Sequence, residues 1–303
     1  MTGSTPPRPQ PGPKPAWLRV RLPADEAYFS VSALLEQRGL HTICRSARCP
    51  NIGECWAKKT ATFLILGDVC TRACAFCAVG KGRPKPPAPD EPERVADAAA
   101  LLGLKYAVVT SVTRDDLPDG GASHFVATAA ALRRRLPGIR VELLIPDFNG
   151  DPSALETALA ARPDILNHNL ETTETLYPLL RRPAAGYRRS LEVLRRASGR
   201  GFAVKSGLMV GLGETMDDLF RAFRDLREAG CLLLTIGQYL QPSAAHVPVA
   251  RYYTPGEFDG LKERALAEGF AGVESGPLVR SSYHAHSLQD AFARRLKDAS
   301  CAH

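Results

Sequence analysis

Three cysteines, Cys70, Cys74 and Cys77, lie within the stretch DVCTRACAFCAVG (Asp68–Gly80) in a C-x3-C-x2-C spacing. Thiolates this close can grip one metal centre from a single loop. A [4Fe–4S] cluster is usually held by four cysteine thiolates, so a set of three leaves one iron open to a small molecule. A second group, Cys44, Cys49 and Cys55 in CRSARCPNIGECW, has a C-x4-C-x5-C spacing, and six of the eight cysteines fall within 34 residues. Two clusters are the economical reading. Zinc is the weaker one, because it wants four ligands in paired short spacings and no partner cysteine pair lies nearby. A disulfide framework suits a small secreted chain, whereas this chain has 303 residues and no apolar signal core at its start. The second trio lacks a fourth ligand. Ser281 and Ser282, adjacent in ESGPLVRSSYHAH (Glu274–His286), offer a hydroxyl oxygen for it.

Polar side chains also gather where an apolar core would not hold them. In NHNLET (Asn167–Thr172) two amides, an imidazole and a carboxylate fall within five positions, and Asn167, Asn169 and Glu171 share one face. Lys205 opens KSGLMVGLGET and needs a partner if it points inward, with an ion pair to Glu171 as the plain structural account. Gly120 and Gly121 precede a helix, where free backbone amides can meet a carboxylate or simply form a helix-start turn. His246 sits in a loop and reads as incidental. A serine hydrolase is not favoured, since no G-x-S-x-G elbow occurs.

These groups must be positioned by a framework, and the pattern supplies one. From Thr62 onward strands and helices alternate. Strands are expected over 62–66, 106–111, 140–146, 165–168, 204–210 and 232–237. Helices are expected over 93–102, 122–136, 152–161, 173–180, 187–198, 216–229 and 255–268, the last capped by Thr254. Continuous apolar strands suit a parallel sheet covered on both faces. Six βα units with right-handed crossovers suggest a closed or partial TIM-type barrel, whose chemistry sits at the carboxyl ends of the strands. The first trio follows the first such strand. Upstream, residues 1–15 carry six prolines and read as an extended arm. WLRVRL (17–22) alternates as a half-buried strand or a wrapping segment, and a helix is expected over 28–38, ended by Gly39.

The composition is 45% hydrophobic and 23% charged, enough for a substantial core. No run of 18 apolar residues occurs, so no membrane span or membrane partner is expected, and the start of the chain argues for a cytoplasmic location. The net charge of +7 admits an acidic partner. Without a lysine-rich run or a nucleic-acid motif, a protein surface explains it better than DNA or RNA.

The first trio resembles the cluster motif of the radical S-adenosylmethionine (SAM) superfamily. CRSARCPNIGECW, CTRACAFC, TSVTRDDLPDGGA, NHNLET, KSGLMVGLGET, LTIGQYLQPS and GPLVRSSYHA together resemble, in order, the lipoyl synthase family, from about Trp17 to Ala285. The resemblance implies an α/β fold, a partial TIM-type (β/α)6 barrel with N- and C-terminal extensions covering the barrel mouth. Residues 1–16 would be a disordered arm, 17–60 an extension carrying auxiliary-cluster ligands, 61–250 the barrel, and 251–303 a C-terminal helix and extension with RSSY. It also implies two [4Fe–4S] clusters and SAM as cofactors. Cys70, Cys74 and Cys77 would hold the SAM-cleaving cluster. Cys44, Cys49 and Cys55 would hold an auxiliary one with Ser282, or else Ser281, as its fourth ligand. Asn167, Asn169, Glu171 and, more weakly, Lys205 would contact SAM, and Arg280 would stay near the auxiliary site. The implied activity is sulfur insertion at C6 and C8 of a protein-bound octanoyl-lysine, with the auxiliary cluster as sulfur donor. The implied partners are an octanoylated lipoyl carrier domain or H protein, and an electron donor such as ferredoxin or flavodoxin. A non-catalytic iron–sulfur carrier is the rival from another class, and it has no need of an open iron or a polar barrel mouth. Cys301 lies outside the resemblance, and Cys231 reads as a small buried hydrophobe.

Overall fold

The computed structural model describes residues 12–20, 25–58, 61–180, 186–283 and 285. The chain enters through a 3₁₀ turn, Ala16–Leu18, and helix α1 (Glu26–Gln37). Strand β1 (His41–Thr42) and the short helices α2 (Ile43–Ser46) and α3 (Ile52–Ala57) follow. Strand β2 (Thr62–Ile65) opens the main repeat, and the two-residue strands β3 (Val69–Cys70) and β4 (Gly80–Lys81) pair in parallel beside it. Then come α4 (Glu91–Leu101), β5 (Tyr106–Ser111), α5 (Ala122–Arg135), β6 (Arg140–Leu144), α6 (Pro152–Ala160) and β7 (Ile165–Asn167). They are followed by α7 (Tyr187–Gly199), β8 (Val204–Val210), α8 (Met216–Glu228), β9 (Leu233–Gln238), α9 (Pro255–Ala267) and β10 (Gly272–Gly276).

The sheet order is β1-β2-β5-β6-β7-β8-β9-β10, and every pairing is parallel except that of β1 with β2. Among the described residues β1 and β10 are its two edges, so the barrel is partial. Each parallel step is bridged by one of the helices α4 to α9, as expected of βα units whose strands are buried on both faces. Phe63, Ile65, Val109, Val141, Leu143, Leu166, Val204 and Ile236 join the helices' apolar sides in one continuous core. Helix α9 starts as the sequence indicated: the Thr254 hydroxyl and the Glu257 carboxylate form a reciprocal capping box.

Three expectations change. A seventh parallel strand, β10, lies in register with β9 from Gly272↔Leu233 to Gly276↔Gly237. Its sequence, GVESG, offers a single large apolar residue and two glycines, which is too weak a strand signal to read. The segment expected as a helix over 173–180 is instead a 3₁₀ stretch, Glu174–Leu180, with Pro178 inside, where the missing backbone donor precludes α-helical bonding. Around Trp17 there is a 3₁₀ turn and no strand. Leu18 is buried there and the Trp17 indole donates to the Tyr253 carbonyl at 3.2 Å, so the segment wraps the barrel. Residues 1–11, 21–24, 59–60, 181–185, 284 and 286–303, with most of the proline-rich arm, the end of WLRVRL and Cys301, lie outside the described residues.

Candidate active site

The first trio sits on the loop after β2, at the carboxyl ends of the parallel strands. Two short strands hold the ends of this loop together, with Cys70 opposite Lys81, and the rest is tied to four other segments. Thr71 donates through its amide and its hydroxyl to the Thr113 carbonyl after β5, at 3.1 and 3.0 Å. Arg72 forks onto Asp115 and reaches the buried Asp147 after β6 at 2.6 Å. Ala75 donates to Leu180 and accepts from Val247. His246, incidental by its sequence context, bonds the Cys77 carbonyl at 3.1 Å while its other ring nitrogen meets Ser243 at 2.8 Å. The protein thus holds the loop through its own hydrogen bonds and ion pairs.

Burial pushes the Cys77 thiol up to about 12, and the nearby Cys74, Glu171 and Cys70 add to the rise against the Val79 amide. The trio is thus close enough to be electrostatically coupled, and Glu171 belongs to the same neighbourhood. Among the described residues, no three histidine, cysteine, aspartate or glutamate side chains are arranged around a single metal ion.

A cavity of about 610 Å³ lies over these cysteines. Cys70, Cys74 and Cys77 line one side, and Cys44, Cys49 and Ser282 another. Asn169 and Glu171 stand on its wall between apolar side chains such as Ile43, Leu144 and Leu208. Lys14 and Val20 of the amino-terminal segment line it too. A small adjoining pocket is walled by Cys44, Cys49, Cys55, Arg280, Ser282 and Tyr283. Here burial pushes the Cys44 thiol up to about 11 and the Cys55 thiol up to about 12, with neighbouring thiols adding to the effect. Burial lowers the Arg280 guanidinium from its ordinary value, against the opposing attraction of Cys49. Three mutually coupled thiols, one hydroxyl and one cation form a donor set that fits an anionic iron–sulfur cluster.

The second trio reaches this place through links between the two ends of the chain. The Asn51 amide donates to the Leu278 carbonyl at 2.7 Å, and the Tyr283 hydroxyl donates to Glu54 at 3.0 Å. Arg48 donates to the Pro242 carbonyl at 3.0 Å. Gly237 permits the close fit: a Cβ there would stand 2.1 Å from the Val279 carbonyl oxygen. Single asparagines and tyrosines carry no sequence signal for such roles, so these anchors were not legible in advance.

Other residues expected at the site lie elsewhere. Asn167 and Lys205 are fully buried inside the sheet and do not line the cavity. Glu142 takes both: Asn167 Nδ2 donates to it at 2.7 Å, Lys205 Nζ at 2.9 Å, and the Tyr106 hydroxyl at 2.6 Å. Lys205 is thus paired with Glu142 in place of the expected Glu171. The amides of Gly121 and Ser123 are taken by the Asp119 carboxylate at 2.9 and 2.8 Å, so the double glycine is a helix start. Ser281 does not line the small pocket; its hydroxyl donates to Asn169 Oδ1 at 2.9 Å. Cys231 is buried with its thiol on the Leu233 carbonyl, as a structural residue.

The chain is similar to known proteins. Residues 64–226 match the radical SAM superfamily. The chain is 57% identical over 284 residues to a lipoyl synthase of Rubrobacter xylanophilus, covering 93% of this chain and 88% of that one. It is 53% identical over 281 residues to a lipoyl synthase of Chlorobaculum parvum, covering 92% and 96%. In fold it resembles HydG, a maturase of the [FeFe]-hydrogenase, with a TM-score of 0.54 at 14% identity over 85% of this chain and 57% of that one. Streptococcus suis SuiB bound to S-adenosylmethionine gives 0.51 at 13% identity, over 74% and 53%. The fold likeness speaks for the barrel; the sequence identity, sustained over nine-tenths of the chain, decides the family. The chain belongs to the lipoyl synthase family of radical SAM enzymes.

Proposed function

We propose that this enzyme inserts two sulfur atoms, at C6 and C8, into an octanoyl chain carried on a lysine of a lipoyl carrier domain or H protein. The observation that carries the reading is the shared wall: Cys44, Cys49, Arg280 and Ser282 line both the small pocket and the large cavity on which Cys70, Cys74 and Cys77 stand. A non-catalytic carrier has no use for cysteines of both trios lining one cavity.

Family membership brings SAM and an iron–sulfur cluster; the reading adds a second cluster. Cys70, Cys74 and Cys77 hold the first and leave one iron for SAM. Cys44, Cys49 and Cys55 hold the auxiliary one, with Ser282 completing the set because Ser281 is engaged elsewhere. When bound, these groups supply what no side chain can: hydrogen-atom abstraction from an unactivated methylene, whose proton lies outside any tunable pKa window, and a source of sulfide.

The chain's own residues do the rest. Asn169 and Glu171 offer an amide and a carboxylate to the polar groups of SAM, while Asn167 and Lys205 shape the sheet beneath them. Ile43, Leu144 and Leu208 give an acyl chain an apolar wall and exclude water from the reacting carbon. Arg280 offsets the negative charge of a thiolate-bound cluster. The described parts of residues 17–58 and 251–285 act in this reading as extensions that complete the mouth of the barrel. The net charge of +7 suits an acidic carrier domain and a small acidic electron donor such as ferredoxin or flavodoxin. No described helix is long and apolar enough to cross a membrane, in keeping with a cytoplasmic setting.

The test is an anaerobic single turnover with clusters, SAM, reductant and an octanoyl-lysine peptide, following 5′-deoxyadenosine and peptide mass together. Two deoxyadenosines per doubly thiolated peptide are expected, with loss of auxiliary-cluster iron. Deoxyadenosine without sulfur gain would move the substrate elsewhere, and no SAM cleavage would return the rival carrier.

A further inference from the structure

Ser281 stands beside the proposed cluster ligand Ser282, yet it does not line the small pocket. Its hydroxyl donates to Asn169 Oδ1 at 2.9 Å across 112 positions of sequence. Asn169 is the cavity-lining amide after β7, and Ser281 also lines that cavity. Two absent side chains make the contact possible. A Cβ on Gly207 of β8 would stand 2.7 Å from Asn169 Oδ1 and 2.9 Å from the Thr235 hydroxyl. A Cβ on Gly237 of β9 would stand 2.1 Å from the Val279 carbonyl, two residues before Ser281. The sheet thus leaves room for the amide oxygen on one strand and for the incoming loop on the next.

From this geometry we propose that Ser281 is a positioning residue that sets the orientation of Asn169 and links SAM binding to docking of the carboxy-terminal loop. A carboxamide has two chemically opposite edges that differ little in shape. A hydroxyl bonded to one edge holds the amide plane in place and, with the oxygen on that edge, turns the NH₂ edge toward an acceptor such as the SAM carboxylate. The loop that delivers this hydroxyl also delivers Ser282 to the small pocket. Asn169 is therefore correctly set only when that loop is seated, so the two sites share a coupling that must act in both directions. The inference rests on the proposal that Asn169 touches SAM.

The experiment is equilibrium dialysis of SAM against the cluster-loaded protein without reductant, so that SAM is not consumed, with iron and sulfide counted on the same samples. Ser281→Ala is expected to weaken SAM binding about fivefold, the effect of one neutral hydrogen bond, with full iron and sulfide retained. Ser281→Thr, which keeps the hydroxyl, is expected to bind as the parent does. Asn169→Ala is expected to weaken binding at least as much, and adding Ser281→Ala to it to cost nothing further. Parent-like SAM affinity in Ser281→Ala beside a weakened Asn169→Ala would overturn the inference and leave the proposed function intact. Equal losses in the Ala and Thr variants, or loss of auxiliary iron in Ser281→Ala, would also overturn it. Parent-like affinity in Asn169→Ala would remove the SAM contact itself.

Discussion

Arg72 and Asp115 meet through two parallel hydrogen bonds of 2.7 Å, and this fork ties the loop between Cys70 and Cys74 to the end of β5. The third guanidinium nitrogen reaches Asp147 at 2.6 Å, where the carboxylate is fully buried and its next cation, Arg189, is 3.7 Å away. Burial lowers the Arg72 guanidinium, but the two carboxylates more than offset this and raise it above its ordinary value. Arg72→Ala removes the fork and strands a buried charge, a loss of about 3–5 kcal/mol for such pairs. We expect a lower unfolding midpoint and a first-trio cluster that loads poorly, read by thermal unfolding and by iron content. Arg72→Lys keeps the charge without the bidentate geometry and should recover stability more than loading. Full loading of the Ala variant would show that the loop needs no preset shape.

Gly237→Ala tests how tightly the carboxy-terminal loop must seat. The added methyl would fall within 2.1 Å of the Val279 carbonyl, a backbone atom that cannot swing aside as a side chain can. The loop carrying Arg280 and Ser282 has to lift. Auxiliary iron should fall by about half the total cluster iron, on the usual four irons per cluster, while the first cluster stays loaded. Iron and sulfide counts with electron paramagnetic resonance of the reduced protein separate the two. An unchanged count would mean that the loop accommodates the methyl without leaving the site.

Most strands and helices were legible because a doubly covered parallel sheet writes many of its strands as largely apolar runs such as Tyr106–Ser111, which matches the expected span. The cysteine trios were legible because clustered thiols have few other uses. What escaped was whatever depends on contacts between distant positions. NHNLET places Asn167 and Asn169 on one face, but the strand end divides them: Asn167 stays under the sheet with Glu142, and Asn169 emerges into the cavity. The partner of Lys205 could not be read because Glu142 lies 63 positions away, in a strand whose sequence gives no sign of which side chain it meets. Asn51 and Tyr283 anchor the chain ends through a backbone carbonyl and an ordinary surface glutamate, neither of which marks itself in sequence.

Asp119 supplies a pH dependence. Burial alone would raise its carboxyl, but hydrogen bonds from Ser123 and from the Gly121 amide prevail and hold it below the usual carboxylate range. A folded-state pKa below the unfolded one means that the unfolded chain binds the proton more readily in acid. The stabilisation is complete above the unfolded pKa and is lost as pH falls through the folded one. Asp119→Ala should therefore cost about 1 kcal/mol at neutral pH, the usual effect of losing a helix-start acceptor, and progressively less in acid. Unfolding midpoints of both proteins along a pH series check it. A difference that stayed constant into acid would assign the effect to shape, not charge.

Lys205 and Glu142 give the sharpest separation between holding the fold and touching SAM. Both side chains are fully buried, and Glu142 also accepts from Asn167 and Tyr106. Lys205→Met leaves that carboxylate uncompensated, and a loss of about 3–5 kcal/mol is expected in urea unfolding. Pairing it with Glu142→Gln removes the stranded charge, keeps an oxygen for the Asn167 amide and offers an NH₂ whose hydrogen bond the Tyr106 hydroxyl can accept, so most of the stability should return. SAM affinity is the deciding readout in the double variant. Because neither residue lines the cavity, affinity should return with stability. If stability recovers and SAM affinity does not, Lys205 does more than hold β6, β7 and β8 in register, and its charge has to be counted among the groups that SAM feels.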